Sequence, residues 1–423
     1  MRSVVFRLTF LLLVTLVAAR GNASPCEVPV GLVLELTGPA GAYGQAAAKA
    51  VELAFRDLND AGGVHGCRIV GITKDSQSQG TLAVDAANQL VALNKVPVII
   101  GGIISSVTIP MLTSVTAPAK ILQVSPAASS PRLTALGREG KTNGFFYRTI
   151  TSDALQGTAA ARYALDRGLR VLSVIYANND FGSNLYGEFS KAYTALGGRI
   201  VTAVPYNEKQ SSYASEVTKA LEGKPPALYV ISTPVDGATI VRTWISQGGA
   251  RVFLLNDGMN SQDFIAAVGA KYLNDAYGTS SGTSPSASTA YFNAEYARVA
   301  KRDPASPAAD RAYDAAAIVG LAMQAAPTLD SASIRDAIAR VTDPKGVVVH
   351  AGKDGFSQAL TALHAGKTVR YEGVIGPVRF DSFGDITGPF RLWRIAAGTV
   401  TTIGQMSAEQ VAAIKATLTK AAP

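Results

Sequence analysis

The sequence predicts an α/β protein made of two doubly wound parallel-sheet lobes. Short, continuous apolar runs alternate with amphipathic segments of helical period along most of the chain, as is typical of parallel strands covered by helices on both faces. This alternating series occurs twice. The chain has 423 residues, 48% hydrophobic and 17% charged, which excludes disordered, collagen-like and coiled-coil proteins. Because single cores stop growing near roughly 250–300 residues, the length favours two or three lobes.

The first series starts with an apolar strand at residues 28–34. The Gly/Pro-rich loop LTGPAGAYG follows it, and then a helix in which apolar residues recur at spacings of three and four from Ala47 to Leu58. Gly62 and Gly63 end this helix. The alternation continues through further predicted strands (68–74, 96–100 and 121–124) and helices (80–93 and 106–117).

The second series begins after a predicted strand at residues 145–150. It contains predicted strands (171–176, 200–204, 227–232 and 252–255) and predicted helices (153–167, 183–196, 211–221 and 237–247). The Ser/Thr/Gly-rich stretch 278–288 predicts a segment that crosses between the lobes. We expect the helical patterns at 290–302 and 308–325 to pack back on the first lobe.

The N-terminal residues have the pattern of an export signal. A basic start, MRSVVFR, precedes an apolar stretch at 8–19, and the residues up to Ala23 fit the small-x-small rule for cleavage. This stretch is shorter than the about 20 residues that a membrane-spanning helix needs. We therefore predict a signal peptide over 1–23 and an exported mature protein. The alternative is a buried N-terminal helix, although nothing in the sequence caps one.

The two cysteines, Cys26 and Cys67, each stand just before a predicted strand. In an oxidising compartment such a pair favours a disulfide, and neighbouring strands would bring the two residues within bridging distance. Two unpaired buried thiols are the alternative. A lipid-anchored Cys26 is disfavoured because the residues before it form a poor lipobox.

Charge and motif content exclude several classes of function. The formal net charge of +8 falls to +5 without residues 1–23, because removing three arginines leaves 36 basic and 31 acidic side chains. These charges form no runs, so we expect no nucleic-acid partner. The sequence contains neither a G-x-x-x-x-G-K-[ST] loop nor a G-x-S-x-G elbow. Its three histidines lack metal-ligand spacing. We therefore predict no catalysis, no cofactor and no metal ion.

Five stretches occur in a characteristic order and spacing. They are VGLVLELTGPAGAYG (30–44), IIGGIISSVTIP (99–110), VSPAASSPRLTALG (124–137), YANNDFGSN (176–184) and YEGVIGPVRFDSFGD (371–385). Together they resemble the extracytoplasmic solute-binding proteins of ABC transporters, specifically the leucine/isoleucine/valine-binding type. The resemblance covers roughly residues 28–394.

The resemblance implies the type I periplasmic binding protein fold, in which three crossing strands join the two lobes around a ligand. Here the crossings would fall near 148–150, 277–280 and 376–380. The implied first lobe comprises residues 24–148 and 281–376, and the implied second lobe comprises residues 149–280 and 377–423. The resemblance also implies a periplasmic monomer that delivers a small solute, with an amino acid as the expected class, to a membrane permease and its ATPase.

Hydroxyls and N–H groups at a helix start suit a ligand carboxylate, because the helix dipole is positive there. Ser105 and Ser106 precede a predicted helix in this way, and the resemblance implies that Ser105 donates to the carboxylate. In the loop after the next strand, it implies that the carbonyl of Ala127 accepts from a ligand ammonium and that Ser129 serves the charged head group, with Ala128 between them. An ordinary N-cap at Ser105 and a plain turn at 126–129 are the alternatives.

A buried ammonium needs a counter-ion, because an unpaired buried charge is very costly. Asp257 follows a predicted strand of the second lobe, where relatives that bind amino acids carry an acidic residue. Glutamate is usual in the leucine-binding type, so the shorter aspartate implies either a closer ligand or an intervening water. An Asp-Gly turn is the alternative.

Two further positions depart from the leucine-binding pattern. Phe181 stands where a tyrosine is common, and Thr233 stands where an aromatic ring often contacts the ligand. These changes enlarge the predicted pocket or alter its polarity, so the side-chain preference of the relatives does not transfer. Tyr43 is a weaker candidate for the wall of the first lobe.

Three functional hypotheses remain open from the sequence. The first is transport of a branched-chain or other apolar amino acid. The second keeps the fold but replaces the ligand by an aromatic carboxylate, an amide or urea. The third is a sensory ligand receptor that works without a permease. Enzymatic turnover is a distant fourth, since no set of nucleophile, base and orienting residue is recognisable.

Overall fold

The computed structural model describes residues 26–421. The predicted signal peptide over 1–23 lies outside the described residues. Within the described range, no helix combines the length and apolar character needed to cross a membrane. The predicted α/β class is confirmed, since two large sheets carry helices between their strands.

The first sheet has five parallel strands in the order β2-β1-β3-β4-β5. The strands are β1 (Glu27–Leu34), β2 (Arg68–Asp75), β3 (Val98–Gly101), β4 (Leu122–Ser125) and β5 (Phe146–Arg148). The helices between them are α1 (Gly41–Asp60), α2 (Gly80–Ala92), α3 (Ser105–Met111) and α4 (Pro131–Arg138). A π-helical segment, Leu112–Thr116, extends α3. Every residue of β3 and β4 is buried, which explains the apolar run VIIG of β3. The polar side chains of Gln123 and Ser125 in β4 donate to the carbonyls of Gly101 and Gly102.

The predicted disulfide is confirmed between Cys26 and Cys67, whose Cα atoms are 4.9 Å apart. The bridge follows from the register of the sheet, because Glu27 of β1 pairs with Arg68 of β2. The two cysteines immediately precede these partners. The covalent link therefore fixes the start of two neighbouring strands.

The second sheet begins with five parallel strands that are also separated by helices. The strands are β6 (Val171–Ala177), β7 (Arg199–Tyr206), β8 (Leu228–Ile231), β9 (Val252–Leu255) and β10 (Asp275–Ser281). The helices are α5 (Asp153–Asp166), α6 (Asp180–Ala195), α7 (Ala214–Ala220), α8 (Pro234–Ser246) and α9 (Gln262–Val268).

The chain between this series and the C-terminal region packs on the first sheet. Its helices are α10 (Ala287–Ala300), α11 (Ala309–Ala325), α12 (Ser331–Val341) and α13 (Lys353–His364). Its strands β11 (Val347–His350), β12 (Val369–Gly373) and β13 (Gly376–Pro377) form a small separate sheet. Phe292 of α10 and Ile318 of α11 belong to the same buried core as Val30 and Val51, so both helices lie where the sequence predicts.

The C-terminal region returns to the second sheet. It forms β14 (Phe390–Ala396), β15 (Thr399–Met406) and α14 (Ala408–Ala421). β14 pairs antiparallel with β10 and β15 antiparallel with β14, giving the order β15-β14-β10-β9-β8-β6-β7. The sequence analysis did not predict this hairpin. Its edge strand β15 is mostly exposed and polar, so it lacks the apolar run of a strand buried on both faces.

Three connections run between the elements of the two sheets, at residues 149–152, 282–286 and 378–389. They contact one another. The hydroxyls of Thr151 and Ser281 are 2.5 Å apart, and the N–H of Gly282 donates to the carbonyl of Pro389 at 2.7 Å. The lobe boundaries drawn from the sequence remain predictions.

Candidate functional site

A cavity of about 470 Å³ is lined by loops of both sheets. These loops follow β3 and β4 in the first sheet and β8 and β9 in the second. Open α/β sheets bind ligands beyond the carboxyl ends of their strands. The volume lies within the range of about 300–1,000 Å³ that is usual for small-molecule pockets.

The wall formed by the first sheet presents two buried serines. Ser105 is the first residue of α3 and is 1% exposed, and Ser129 follows β4 and is 2% exposed. The Ser105 hydroxyl accepts from the N–H of Ser130 at 3.2 Å, which joins the two loops. Small side chains at Ala127 and Ser129 leave the backbone close to the cavity.

Glu35 positions the loop that leads to Ser105. This carboxylate is fully buried just after β1 and accepts from the N–H groups of Ile103 at 3.0 Å and Ile104 at 3.1 Å. Burial raises the pKa of Glu35 to about 7, although these hydrogen bonds oppose the increase. The sequence analysis did not identify Glu35, whose only signal was a charged residue directly after an apolar strand.

We expect Glu35→Gln to reduce the loss of stability as the pH rises from about 5 to about 8. The folded protein holds a proton on Glu35 in a range where the unfolded chain has released it, so the wild-type free energy of unfolding falls with rising pH there. Glutamine keeps an oxygen acceptor but cannot ionise. Urea denaturation across this pH range should show that the free energy of unfolding falls by about 2–3 kcal/mol less in the variant than in the wild type.

Parallel stability curves for Glu35→Gln and the wild type would contradict this prediction. Asp314, a buried carboxyl distant in sequence, provides a second, independent test because burial also raises its pKa to about 7. Asp314→Asn should change the pH dependence in the same direction. Its effect should add to that of Glu35→Gln because the two carboxyls share no hydrogen-bond partner.

The wall formed by the second sheet presents a carboxylate. Asp257 follows β9, and its Oδ1 accepts from the side chain of Asn256 at 3.2 Å and from the N–H of Gly258 at 3.0 Å. Burial raises the pKa of Asp257, while these two donors and the nearby Arg311 partly offset the increase. Thr233 also lines this wall, and its buried hydroxyl has no hydrogen-bond partner.

Two contacts join the walls directly. The hydroxyl of Tyr43 in α1 donates to the carbonyl of Gly258. Ser129 donates its hydroxyl to Asp153 Oδ2 at 2.8 Å and accepts the N–H of Asp153 at 2.9 Å. Burial and, to a smaller extent, the charge of Asp257 raise the pKa of Asp153 to about 8. The cavity is therefore held in a closed arrangement.

We expect Tyr43→Phe to weaken ligand binding by about 5- to 10-fold, because it removes a hydrogen bond worth about 1 kcal/mol. This bond spans the two walls, so it stabilises the closed form only. Tyr193→Phe is the matched control, since its hydroxyl donates to Leu169 at 2.6 Å within the second-sheet unit. Calorimetric titration should show unchanged affinity for the control, and equal losses for the two variants would contradict the prediction.

The structure brings most of the predicted site residues together. Seven of the nine line the cavity: Tyr43, Ser105, Ala127, Ser129, Phe181, Thr233 and Asp257. Ser106 and Ala128 are not among the lining residues. Ala128 is fully buried in a core with Leu133, and its carbonyl accepts from Arg148 at 3.0 Å. The carbonyl of Ser106 lies beside Gly80 of α2.

The cavity also has lining residues that the sequence analysis missed. They come from the end of β10, from the loop before α11, from the start of that helix and from β14. Arg311 and Arg391 are the cations among them. A possible signal was the arginine in the first turn of the otherwise apolar helix α11.

Two α/β units that close over a ligand-sized cavity with charged and hydroxyl groups on opposite walls define a solute-binding protein. The family model described as periplasmic binding protein matches residues 27–399. The chain belongs to this family.

Relatives and solved structures agree with this assignment. The Leu/Ile/Val-binding protein homolog 1 of Brucella suis is 30% identical over 60% of this chain and 67% of its own length. The chemotactic signal transduction system substrate-binding protein BasB of Halobacterium salinarum is 27% identical over 83% of each chain. Both are similar to this chain along much of its length.

Two crystal structures show the same fold. The branched-chain amino acid transporter substrate-binding protein LivJ of Streptococcus pneumoniae, in complex with isoleucine, has a TM-score of 0.74 at 22% identity, covering 90% of this chain and 99% of LivJ. A solute-binding protein of R. palustris in complex with benzoate has a TM-score of 0.71 at 17% identity, covering 90% and 96%. At these identities the likeness concerns the fold alone.

Proposed function

We propose that this chain is the solute-binding component of an ABC importer and that its solute is an amino acid. Membership of the periplasmic binding protein family supports the importer role. The names of the Leu/Ile/Val-binding relatives favour an amino acid. The proposal includes export through cleavage near Ala23, action as a monomer in the periplasm, and delivery to a permease driven by an ATPase.

The arrangement of opposite charges across one cavity carries the proposal. On one wall Ser105 offers its hydroxyl and N–H and Ser129 offers its N–H as donors for a carboxylate, while the Ser129 hydroxyl donates to Asp153. On the other wall Asp257 offers a counter-ion for an ammonium. The carbonyl of Ala127 is a further acceptor for the ammonium. An α-amino acid carries its ammonium and its carboxylate on the same carbon atom, so one end of the ligand engages both walls at once.

Capture then proceeds by closure. In an open form the solute reaches one wall from bulk water. Contacts with both walls exist only in the closed form, so the ligand shifts the equilibrium by its differential affinity for that form. The connections at 149–152, 282–286 and 378–389 are the segments about which the units rotate. The closed form docks on the permease.

An aromatic carboxylate, an amide or urea is the second candidate. The aromatic wall at Phe181 and the unpartnered hydroxyl of Thr233 favour it, and one structural relative is in complex with benzoate. A ligand of this class has no ammonium to pair with Asp257. Sensing without a permease is a third possibility, which the name of the chemotactic relative suggests. A neighbouring permease and ATPase cluster in the genome would count against it.

Calorimetric titration of the mature protein with the common amino acids, benzoate and urea tests the proposal. We expect binding by at least one α-amino acid and a weaker response to its desamino analogue. Binding of benzoate or urea in the absence of any amino-acid response would favour the second candidate. Turnover of a bound solute would revive an enzymatic role.

A further inference from the structure

The cavity is lined by further residues besides those on the walls of Ser105 and Asp257. They include residues 280–283, the loop 303–308 and Arg391 of β14, and we call this set the side-chain compartment. These residues lie on a stretch of chain different from the loops that carry Ser105 and Asp257. A solute whose α-amino and α-carboxyl groups are held by those loops can contact this compartment with its side chain.

Arg391 is the distinctive group of this compartment. It stands opposite Ser280 in the β10–β14 pairing, and its Nε donates to the Ser280 hydroxyl at 3.3 Å. Among the described residues no carboxylate forms an ion pair with it. The buried Arg148, in contrast, pairs with Asp385 at 2.6 Å and donates to two carbonyls. Arg391 is a half-buried cation in a ligand cavity with one weak neutral partner.

Arg311 adds a second positive charge to the cavity lining, and it lies near enough to Asp257 to oppose the rise in the pKa of that carboxyl caused by burial. Its side chain is 8% exposed, with Nη1 paired to Asp310 at 2.7 Å and Nη2 donating to the carbonyl of Gly282 at 3.2 Å. Its buried Nε has no partner. Asp310 is engaged by Arg311, and the exposed Asp303 accepts from the N–H of Ala305 at 2.9 Å. Neither aspartate forms an ion pair with Arg391, although burial lowers the pKa of Arg391 and the charges of both aspartates oppose that shift.

We propose that this compartment binds an anionic group at the distal end of the solute, with Arg391 as its direct partner. This inference rests on the proposed function and narrows it to an amino acid whose side chain ends in a carboxylate or another oxyanion. Closure over a purely aliphatic side chain would leave the Arg391 guanidinium desolvated and unpaired, which opposes closure. A distal carboxylate accepts two parallel N–H bonds from a guanidinium and removes this penalty.

Calorimetric titration with two series of L-amino acids tests the proposal. The acidic series is aspartate, glutamate, 2-aminoadipate and 2-aminopimelate, and the apolar series is valine, leucine, norleucine and 2-aminooctanoate. We expect one acidic member to bind more tightly than every apolar one. Arg391→Met should weaken that acidic ligand by about 100-fold or more. The same variant should bind norleucine more tightly than the wild type does, because closure then leaves no unpaired guanidinium.

Arg394→Met is the matched control, because Arg394 lies on the same strand but is exposed. It should leave both series unchanged. Arg391→Lys keeps the charge without the bidentate geometry and should retain intermediate affinity for the acidic ligand. If thermal melting shows that Arg391→Met is not folded, the comparison of Arg391→Lys with the wild type decides the outcome.

Preferential binding of apolar amino acids, or acidic binding unaffected at Arg391, would overturn this inference and leave the proposed function intact. Failure of every amino acid in both series to bind would instead overturn the proposed function itself. The two failures are therefore distinguishable in one experiment.

Discussion

Asp257→Asn is expected to lower the affinity for an amino-acid ligand by about 2–5 kcal/mol, which corresponds to a loss of roughly 30-fold to several thousand-fold. Asparagine preserves the shape of the side chain and removes its charge. The ligand ammonium would then be enclosed on closure with neutral acceptors alone, and an uncompensated buried cation opposes closure strongly. Calorimetric titration of the two proteins with the same ligand gives the difference directly.

Two comparisons make this result specific to the ammonium. The desamino analogue of the ligand should bind the wild type and Asp257→Asn with similar affinity, because it carries no positive charge. Asp263→Asn, at an exposed carboxyl in the first turn of α9, should leave the affinity for both ligands unchanged. If Asp257→Asn instead retained nearly full affinity for the natural solute, the solute would have no ammonium at this wall.

The pH dependence provides a second signature of the same contact. Burial raises the pKa of Asp257 in the closed, ligand-free protein, and binding of an ammonium favours the ionised carboxylate. Ligand affinity should therefore weaken as the pH falls through the raised pKa of this group. The variant Asp257→Asn should lose this component of the pH dependence.

Arg148→Met is expected to destabilise the folded protein by about 3–5 kcal/mol, since it removes one partner of a buried ion pair. The Arg148 side chain is fully buried, and its Nε pairs with Asp385 Oδ1 at 2.6 Å. Its other nitrogens donate to the carbonyls of Ala128 and Ser130, both at 3.0 Å, and to the hydroxyl of Thr134 at 2.8 Å. These acceptors would lose their donor without gaining contact with water.

Urea denaturation measures this change, and Arg132→Met is its matched control. Arg132 also pairs with a carboxylate at 2.6 Å, that of Glu139, but both side chains are more than a third exposed. Exposed pairs contribute about 0–1 kcal/mol, so the control should unfold almost as the wild type does. A similar small effect in Arg148→Met would show that the buried pair adds little to stability.

The same substitution should also affect binding. The two carbonyls held by Arg148 flank Ser129 in the loop that presents its hydroxyl to the cavity. Loss of these bonds frees the loop to adopt other conformations, so ligand affinity should fall in the fraction of Arg148→Met that remains folded. Arg148 acts here as a positioning residue.

The parallel sheets explain which site residues could be predicted from the sequence. Ser105, Ser129 and Asp257 each follow a short buried strand, and the carboxyl ends of parallel strands lie at one edge of a sheet. Local sequence order was therefore sufficient to place Ser105 near Ser129 and to put each of the three residues at the ligand-binding edge of its own sheet. The cavity that Ser105 and Asp257 share was the arrangement on which the sequence interpretation depended.

The position of Arg391 could not be predicted, because it depends on the return of the C-terminal region of the chain to the second sheet. Arg391 reaches the cavity because β14 pairs antiparallel with β10, and no periodicity near residue 391 specifies that partner. Ser106 and Ala128 fail to line the cavity for a local reason, since adjacent residues in a tight loop or first helical turn point in different directions. Residue-level orientation therefore required the three-dimensional structure.

The Cys26–Cys67 bond closes a loop that contains β1 and α1 and ends directly before β2, all within the first quarter of the chain. Both thiols precede every residue of the second sheet, so an oxidant can seal this βαβ unit while most of the polypeptide is still being translocated. The crosslink then restricts the unfolded ensemble of an element that has not yet met its covering helices α10 and α11.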